Sequence, residues 1–296
     1  AEEQLLAPLD EYLKVGLHIG TKVRTKDMAP FIYKIRPDGL AVLNVEKINE
    51  RIKKIISSDA GLPILSAIVG YLLGKGYKEI GFIGLGKMGK PMVARLARKG
   101  WKVASFDAYA KGSGGSVEEM AGKLKRSRVV FLMVPAGKPV DEVLFGKEGL
   151  AKSLERGDMV IDGGNSFFKD SVQRAVKLKK KGIHFLDTGI SGGPVSILQG
   201  RFAVMVGGEK RMYEKVKPVF AALSDTPSGY MGKSGAGHFA KMVHNGIEYG
   251  MMQALAEGFT LLKKAPFSFR LKDVAKVYNQ NSIITSRLTS WLQEGF

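Results

Sequence analysis

Hydrophobic and polar positions follow three different rhythms along this chain, and each predicts a different kind of element. From Glu79 onward, short apolar runs end in small or acidic residues: Glu79-Ile-Gly-Phe-Ile83, Lys102-Val-Ala-Ser-Phe-Asp107, Arg128-Val-Val-Phe-Leu-Met-Val134, Asp158-Met-Val-Ile-Asp162 and His184-Phe-Leu-Asp187. Runs of this length without polar alternation predict parallel strands buried on both faces. After the first run, Pro91-Met-Val-Ala-Arg-Leu-Ala has helical spacing. Strand, helix, strand in this order predicts an α/β fold, a Rossmann-like doubly wound parallel sheet over residues 78–234.

The second rhythm is helical and runs from Gly235 to Gln253 without proline, opening an all-α segment over 235–296. Lys241, His244, Asn245 and Glu248 lie at i+3 and i+4 spacings and share one face. Around them stand Phe239, Met242, Val243, Ile247, Met251 and Met252, which predicts a buried helix rather than a solvated polar stripe. A lysine and a glutamate buried together are costly unless they have a chemical task. Desolvation suits the lysine to act as a general base and the glutamate as a general acid. His244 and Asn245 would then supply hydrogen bonds to a polyhydroxylated substrate.

The third rhythm belongs to residues 1–57. Leu5 to Leu13 reads as a short helix, Gly16-Leu-His-Ile-Gly20 as a loop, and Phe31-Ile-Tyr-Lys-Ile35 and Leu40-Ala-Val-Leu-Asn-Val45 as strands around the Arg36-Pro-Asp-Gly39 turn; Glu46 to Ile56 reads as a helix. Residues 58–77 read as a linker helix capped by Ser57-Ser-Asp59. Two strands bury too little surface to stand alone, so this segment reads as an appended α/β piece.

Composition narrows the function class. The 296 residues are 45% hydrophobic, with no apolar stretch of the ~20 residues a membrane span needs. No basic-then-apolar leader opens the sequence, and the expected compartment is the cytoplasm. Zero cysteines exclude disulfides and thiolate metal sites, and with four scattered histidines no metal is expected. The net charge of +18 suggests anionic partners, and residues 1–57 hold only ten Lys/Arg against eight Asp/Glu, so most of the excess lies beyond them. Lys177 to Lys181 and Lys123 to Arg126 read as solvated faces.

The chemistry begins at Gly84-Leu-Gly-Lys-Met-Gly89, placed between a predicted strand and a predicted helix. There Gly84, Gly86 and Gly89 permit a tight turn, and with Lys87 and Met88 they bring backbone amides close to a dinucleotide pyrophosphate. Asp107 ends the next strand, where this fold holds the adenosine ribose hydroxyls, and its charge argues for NAD; Tyr109 and Lys111 nearby leave NADP open. Val134, Pro135 and Ala136 lie where the nicotinamide end would reach. Gly163-Gly-Asn165-Ser and Gly189-Ile-Ser191-Gly192-Gly193 end later strands, and the three glycine-rich loops are best explained as one lined cleft, the last of them suited to binding oxygens through backbone amides.

These motifs, together with Gly235-Ala-Gly-His-Phe-Ala-Lys-Met-Val-His-Asn-Gly-Ile-Glu-Tyr-Gly250, resemble the 6-phosphogluconate dehydrogenase family, its shorter form especially. The resemblance implies that Lys241 takes the proton of the substrate's 3-hydroxyl while C3 gives up hydride. It implies that the β-keto acid loses CO2 and that Glu248 protonates the enediol at C1, leaving ribulose 5-phosphate. It implies that Asn165, Ser191, Gly192, Gly193, His244 and Asn245 hold a phosphorylated sugar acid, with Tyr249 near its phosphate. Two departures stand out. Pro194-Val-Ser-Ile-Leu-Gln-Gly200 is not the family's usual continuation, and Ser282 to Arg287 resembles a family Ile-Ile-Arg-Ser motif with Thr285 in place of the arginine. The chain also stops at Phe296, early in the helical domain through which family members form homo-oligomers.

Residues 3–54 resemble the start of the second protein of the small ribosomal subunit in its archaeal and eukaryotic form. That likeness rests on Pro8-Leu-Asp-Glu-Tyr-Leu13, Gly16-Leu-His-Ile-Gly20, Thr25-Lys-Asp-Met28, Phe31-Ile-Tyr33, Arg36-Pro-Asp-Gly39 and Glu50-Arg51. Three alternatives therefore stand beside the main expectation: a β-hydroxyacid dehydrogenase that releases no CO2, a ribosome- or rRNA-associated protein acting through residues 1–57, and a chain that binds dinucleotide without turnover.

Overall fold

The computed structural model describes residues 9–14, 18–19, 26–56, 78–110 and 112–296. The chain divides into two compact units, 1–77 and 78–296. The linker helix expected over 58–77 lies outside the described residues.

In the first unit, helix α1 (Leu9–Lys14) is followed by a 3-10 turn over Lys26–Phe31 and by strands β1 (Ile32–Ile35) and β2 (Ala41–Leu43), which pair antiparallel. The turn between them closes as its sequence predicts: Gly39 sits at φ 82° and donates to the Arg36 carbonyl at 2.9 Å. Helix α2 (Val45–Ile56) is the last element of this unit among the described residues.

The second unit is built on a seven-stranded sheet. Strand β3 (Glu79–Ile83) leads through the glycine turn into α3 (Gly89–Arg98), then come β4 (Lys102–Phe106), α4 (Val117–Gly122), β5 (Val129–Leu132), α5 (Lys138–Phe145) and α6 (Leu150–Ser153). Next come β6 (Met159–Asp162), α7 (Phe168–Lys179), β7 (His184–Ser191), α8 (Pro194–Gln199), β8 (Ala203–Gly208), α9 (Lys210–Leu223) and β9 (Gly229–Gly232). The order across the sheet is β4-β3-β5-β6-β7-β8-β9, and β3 to β7 run parallel with their neighbours. The chain reverses its direction of travel across the sheet after β4, which opens a crevice at the C-terminal ends of β3 and β5.

The sheet is not wholly parallel: β8 returns antiparallel against β7, and β9 follows β8. Alternate residues feed two cores. Ile80, Phe82, Phe131 and Ile161 pack on α3 and α9 through Met92, Leu96, Val216 and Phe220, whereas Ile83, Val130, Leu132 and Val160 pack on Leu144, Leu150 and Leu178. Burial on both faces is what suppresses polar alternation in these strands. After β9 come α10 (Ala236–Lys264), α11 (Leu271–Tyr278) and α12 (Arg287–Gly295). No helix among the described residues is long and apolar enough to cross a membrane.

Candidate active site

The turn after β3 is shaped by contacts that exclude side chains. Gly84, at φ 99°, passes so close to the Met133 carbonyl that a methyl group would overlap it, and Gly89 stands in the same relation to the Gly84 carbonyl. Gly86 is different, because a methyl there would meet only open space. That space adjoins the N-terminus of α3, where backbone N–H groups favour an anion, so these residues fit a dinucleotide pyrophosphate.

Asp107, just past β4, accepts from the amides of Leu85 at 2.5 Å, Tyr109 at 2.7 Å and Ala110 at 2.9 Å. Burial pushes this carboxyl up, but the three amides and the charge of Lys90 outweigh burial and hold it below its usual range. An ionised acid therefore stands at the end of β4, and it also pins the glycine turn. Tyr109 is fully exposed, and Lys111 lies outside the described residues.

The ends of four strands meet around one cleft of about 350 Å³: Gly86 to Gly89 after β3, Met133 to Pro135 after β5, Gly163 to Asn165 after β6, and Ile190 in β7. Ala136 continues the second of these walls on the exposed part of its loop. Asp162 shapes the third wall from below, accepting from the Gly164 amide at 3.1 Å and the Ser166 hydroxyl at 2.8 Å. That local pattern of an acid turning back on residues two and four ahead was available in the sequence.

The floor of the cleft continues into the seat of α10. Buried Asp187 accepts from the amides of Gly235 at 2.7 Å and His238 at 2.9 Å, so one carboxylate caps the helix start. Gly237 lies against the backbone of β7 and β8, where a methyl would reach within 2.6 Å of the Gly207 amide. Gly189 faces the Cβ of Lys241 with no room for a methyl group between them. Lys241 therefore enters beside Ile190, a wall residue of the cleft.

The polar side chains form a connected line along the half-buried side of α10. The His244 ring is hydrogen-bonded through Nε2 to Ser191 Oγ at 2.9 Å, and its Nδ1 lies 3.4 Å from Lys241 Nζ, 3.3 Å from Asn245 Oδ1 and 3.6 Å from Glu248 Oε2. Burial lowers the Lys241 amine below the usual lysine range, and Glu248 offsets part of that shift. The structure thus brings together Lys241, His244, Asn245, Glu248 and Ser191.

Two expectations are revised. The apolar residues around the polar line are exposed, Ile247 at 61% and the others nearly half, because the covered side of α10 is the polar one and nothing among the described residues covers the other. Gly189, Ile190 and Ser191 belong to strand β7 rather than to a free loop, since β8 pairs with them and takes up their backbone hydrogen bonds. Gly193 instead caps α8, and Gly192 packs on Phe202. Tyr249, one turn beyond Asn245 on α10, is 69% exposed. Arg287, at the start of α12, donates to Ser196 Oγ at 3.2 Å on α8, which follows Gly193 directly.

Two family descriptions match the chain. Residues 79–232 match the NAD binding domain of 6-phosphogluconate dehydrogenase, and residues 237–294 match the C-terminal domain of that enzyme. The NAD(+)-dependent decarboxylating 6-phosphogluconate dehydrogenase of Haloferax volcanii is 41% identical over 230 residues, which cover 74% of this chain and 75% of that protein. The decarboxylating enzyme of Bacillus licheniformis is 40% identical over 226 residues, 69% of this chain and 47% of that protein, so the chain spans only about half of this longer relative. Among solved structures, 3-hydroxyisobutyrate dehydrogenase of Mycobacterium tuberculosis with L-serine superposes with a TM-score of 0.63 at 25% identity, covering 72% of this chain and 73% of that one. Plasmodium falciparum 6-phosphogluconate dehydrogenase, described in its apo form and with NADP+ and 6-phosphogluconate, gives 0.60 at 29% identity over 73% of this chain and 50% of that one.

Proposed function

The chain belongs to the 6-phosphogluconate dehydrogenase family, and on that premise we propose that it oxidises and decarboxylates 6-phosphogluconate to ribulose 5-phosphate, with Lys241 as general base and Glu248 as general acid. The observation that carries this reading is the line Lys241, His244, Glu248 on the covered side of α10, fixed to β7 by Ser191 at the edge of the cleft. Gly86, Lys87, Met88 and Gly89 would hold the pyrophosphate, Asp107 the adenosine ribose, and Val134, Pro135 and Asn165 the nicotinamide end. Bound NAD would supply the hydride acceptor. The ionised Asp107 would repel a 2′-phosphate, which favours NAD over NADP.

Lys241, its amine lowered by burial, takes the proton of the 3-hydroxyl as C3 is oxidised. The new carbonyl, β to the carboxylate, accepts the electron pair left when the C1–C2 bond to CO2 breaks, and the protonated Lys241 stabilises the charge that develops on its oxygen. Glu248 delivers a proton to the former C2 of the enediol, which becomes C1 of ribulose 5-phosphate. His244 orients both groups from between them, while Asn245 and Ser191 donate or accept at the sugar hydroxyls. Formation of NADH with 6-phosphogluconate, together with release of CO2, tests the reading. Lys241→Ala should lower turnover by roughly 10²- to 10⁴-fold, and an unchanged rate would refute the assignment. NADH formation from small 3-hydroxyacids without CO2 would favour a β-hydroxyacid dehydrogenase, the kind of enzyme whose solved structure also superposes on this chain.

A further inference from the structure

Arg174 lies on α7 with 1% of its side chain exposed and touches neither Lys241 nor the glycine turn after β3. A guanidinium so deeply placed costs desolvation, and apolar residues of similar volume often hold a core as well or better. What distinguishes this site is where its partners lie. Arg174 donates through Nε to Asp141 Oδ1 at 2.9 Å and through Nη2 to Asp141 Oδ2 at 3.1 Å, a two-pronged pair. The same Nη2 donates to the Gly137 carbonyl at 3.1 Å, and Nη1 approaches Asp162 Oδ2 at 3.7 Å.

Gly137 ends the loop that begins with Val134 and Pro135, and adopts φ 80° there. Asp162 is the residue that folds Gly164 and Ser166 around Asn165. One planar cation thus stands behind two adjoining walls of the cleft, those after β5 and β6. The wall after β3 has anchors of its own, Asp107 and the close contact of Gly89 with the Gly84 carbonyl, and meets the wall after β5 where Gly84 passes the Met133 carbonyl.

The two sides divide a dinucleotide between them. The turn after β3 and the acid after β4 take pyrophosphate and adenosine ribose, so the remaining half must extend across the switch point toward β5 and β6. We propose that Arg174 is a positioning residue for the redox half of the cofactor: it fixes Val134–Gly137 and the Asn165 loop, and so governs how tightly the nicotinamide riboside is held. This rests on the reading that the cleft takes NAD. Arg174 also holds the Asp141 carboxyl below its usual range, so the pair stays ionised through neutral pH.

A residue that only stapled α7 to α5 would affect every ligand of the cleft alike, whereas a positioning residue for one wall would not. The test is calorimetric titration of NADH and of ADP-ribose, which lacks the nicotinamide, into the full chain and into Arg174→Lys. Asp141→Asn serves as a second variant, because Asp141 is half-exposed and its change removes the charge and one of the two acceptor oxygens of the two-pronged pair without leaving a cavity. Either variant should weaken NADH on the order of tenfold or more through misplacement of the wall, with ADP-ribose within about twofold of wild type. Equal losses for both ligands, or none for either, would overturn the positioning role. Failure of the wild-type chain to bind either ligand would instead remove the cofactor reading, and the proposal with it.

Discussion

Helix α10 is one rod of 29 residues, yet its first two turns and the turns beyond them are held in different ways. From Ala236 to Lys241 it lies close against β7 and β8, backbone to backbone at Gly237 and through the Lys241 Cβ at Gly189, and its open amides end on the carboxylate of Asp187. From Met242 to Met252 the covered side is polar and the exposed side apolar, the reverse of an ordinary surface helix. Apolar burial resumes only at Phe259, whose ring lies 5.9 Å from that of Tyr278 and 5.6 Å from that of Phe296. Hydrophobic burial therefore does not place Lys241, His244 and Glu248. Backbone contact at Gly237, close approach at Gly189 and one buried cap do.

The contrast can be broken from the seated end first. Gly189→Ala introduces a methyl where the Cβ of Lys241 already sits, so α10 must move outward. Turnover should fall by roughly a hundredfold, as expected when a reacting group is misplaced by about an ångström, while NADH binding, measured by fluorescence, stays near wild type. Loss of binding together with turnover would mean that the seat of α10 and the cleft are not separable. Asp187→Asn comes next. One of the two buried amides would face an NH2 group instead of an oxygen, at a cost of about 1–3 kcal/mol, read as a lower Tm in thermal denaturation. A variant as stable as wild type would show that the cap contributes little. At the other end, Ile247→Gln replaces a side chain that is mostly in solvent. Stability of the monomer should stay within about 0.5 kcal/mol in urea titrations at low protein concentration, and a larger loss would show that this face is packed after all.

How much of this was legible in the sequence follows from how far apart the interacting residues lie. The β3–turn–α3 unit and its acid could be read because strand, glycines, helix and Asp107 follow one another within thirty residues, and the backbone they specify is local. The polar line of α10 was legible for the same reason, since 3.6-residue periodicity fixes which side chains share a face. Periodicity does not say which face is covered, and on α10 the expectation from hydrophobicity pointed the wrong way. Asp187 read as the end of a strand because the amides it caps lie 48 and 51 residues further on. Gly189 read as part of an oxygen-binding loop, whereas its lack of a side chain answers to Lys241 on another element. Strand β8 lies on the apolar run Phe202-Ala-Val-Met-Val206, and what the sequence does not show is that it pairs antiparallel with β7.

That Lys241 is a desolvated amine within the field of the Glu248 carboxylate is tested most directly by following its Nζ through a pH titration with NMR, in wild type and in Glu248→Gln. The midpoint should lie below that of the solvent-exposed lysines, because burial disfavours the charged form, and it should fall further in Glu248→Gln, which removes the charge that offsets burial. A midpoint among the exposed lysines, unmoved by Glu248→Gln, would contradict the assignment of Lys241 as the base.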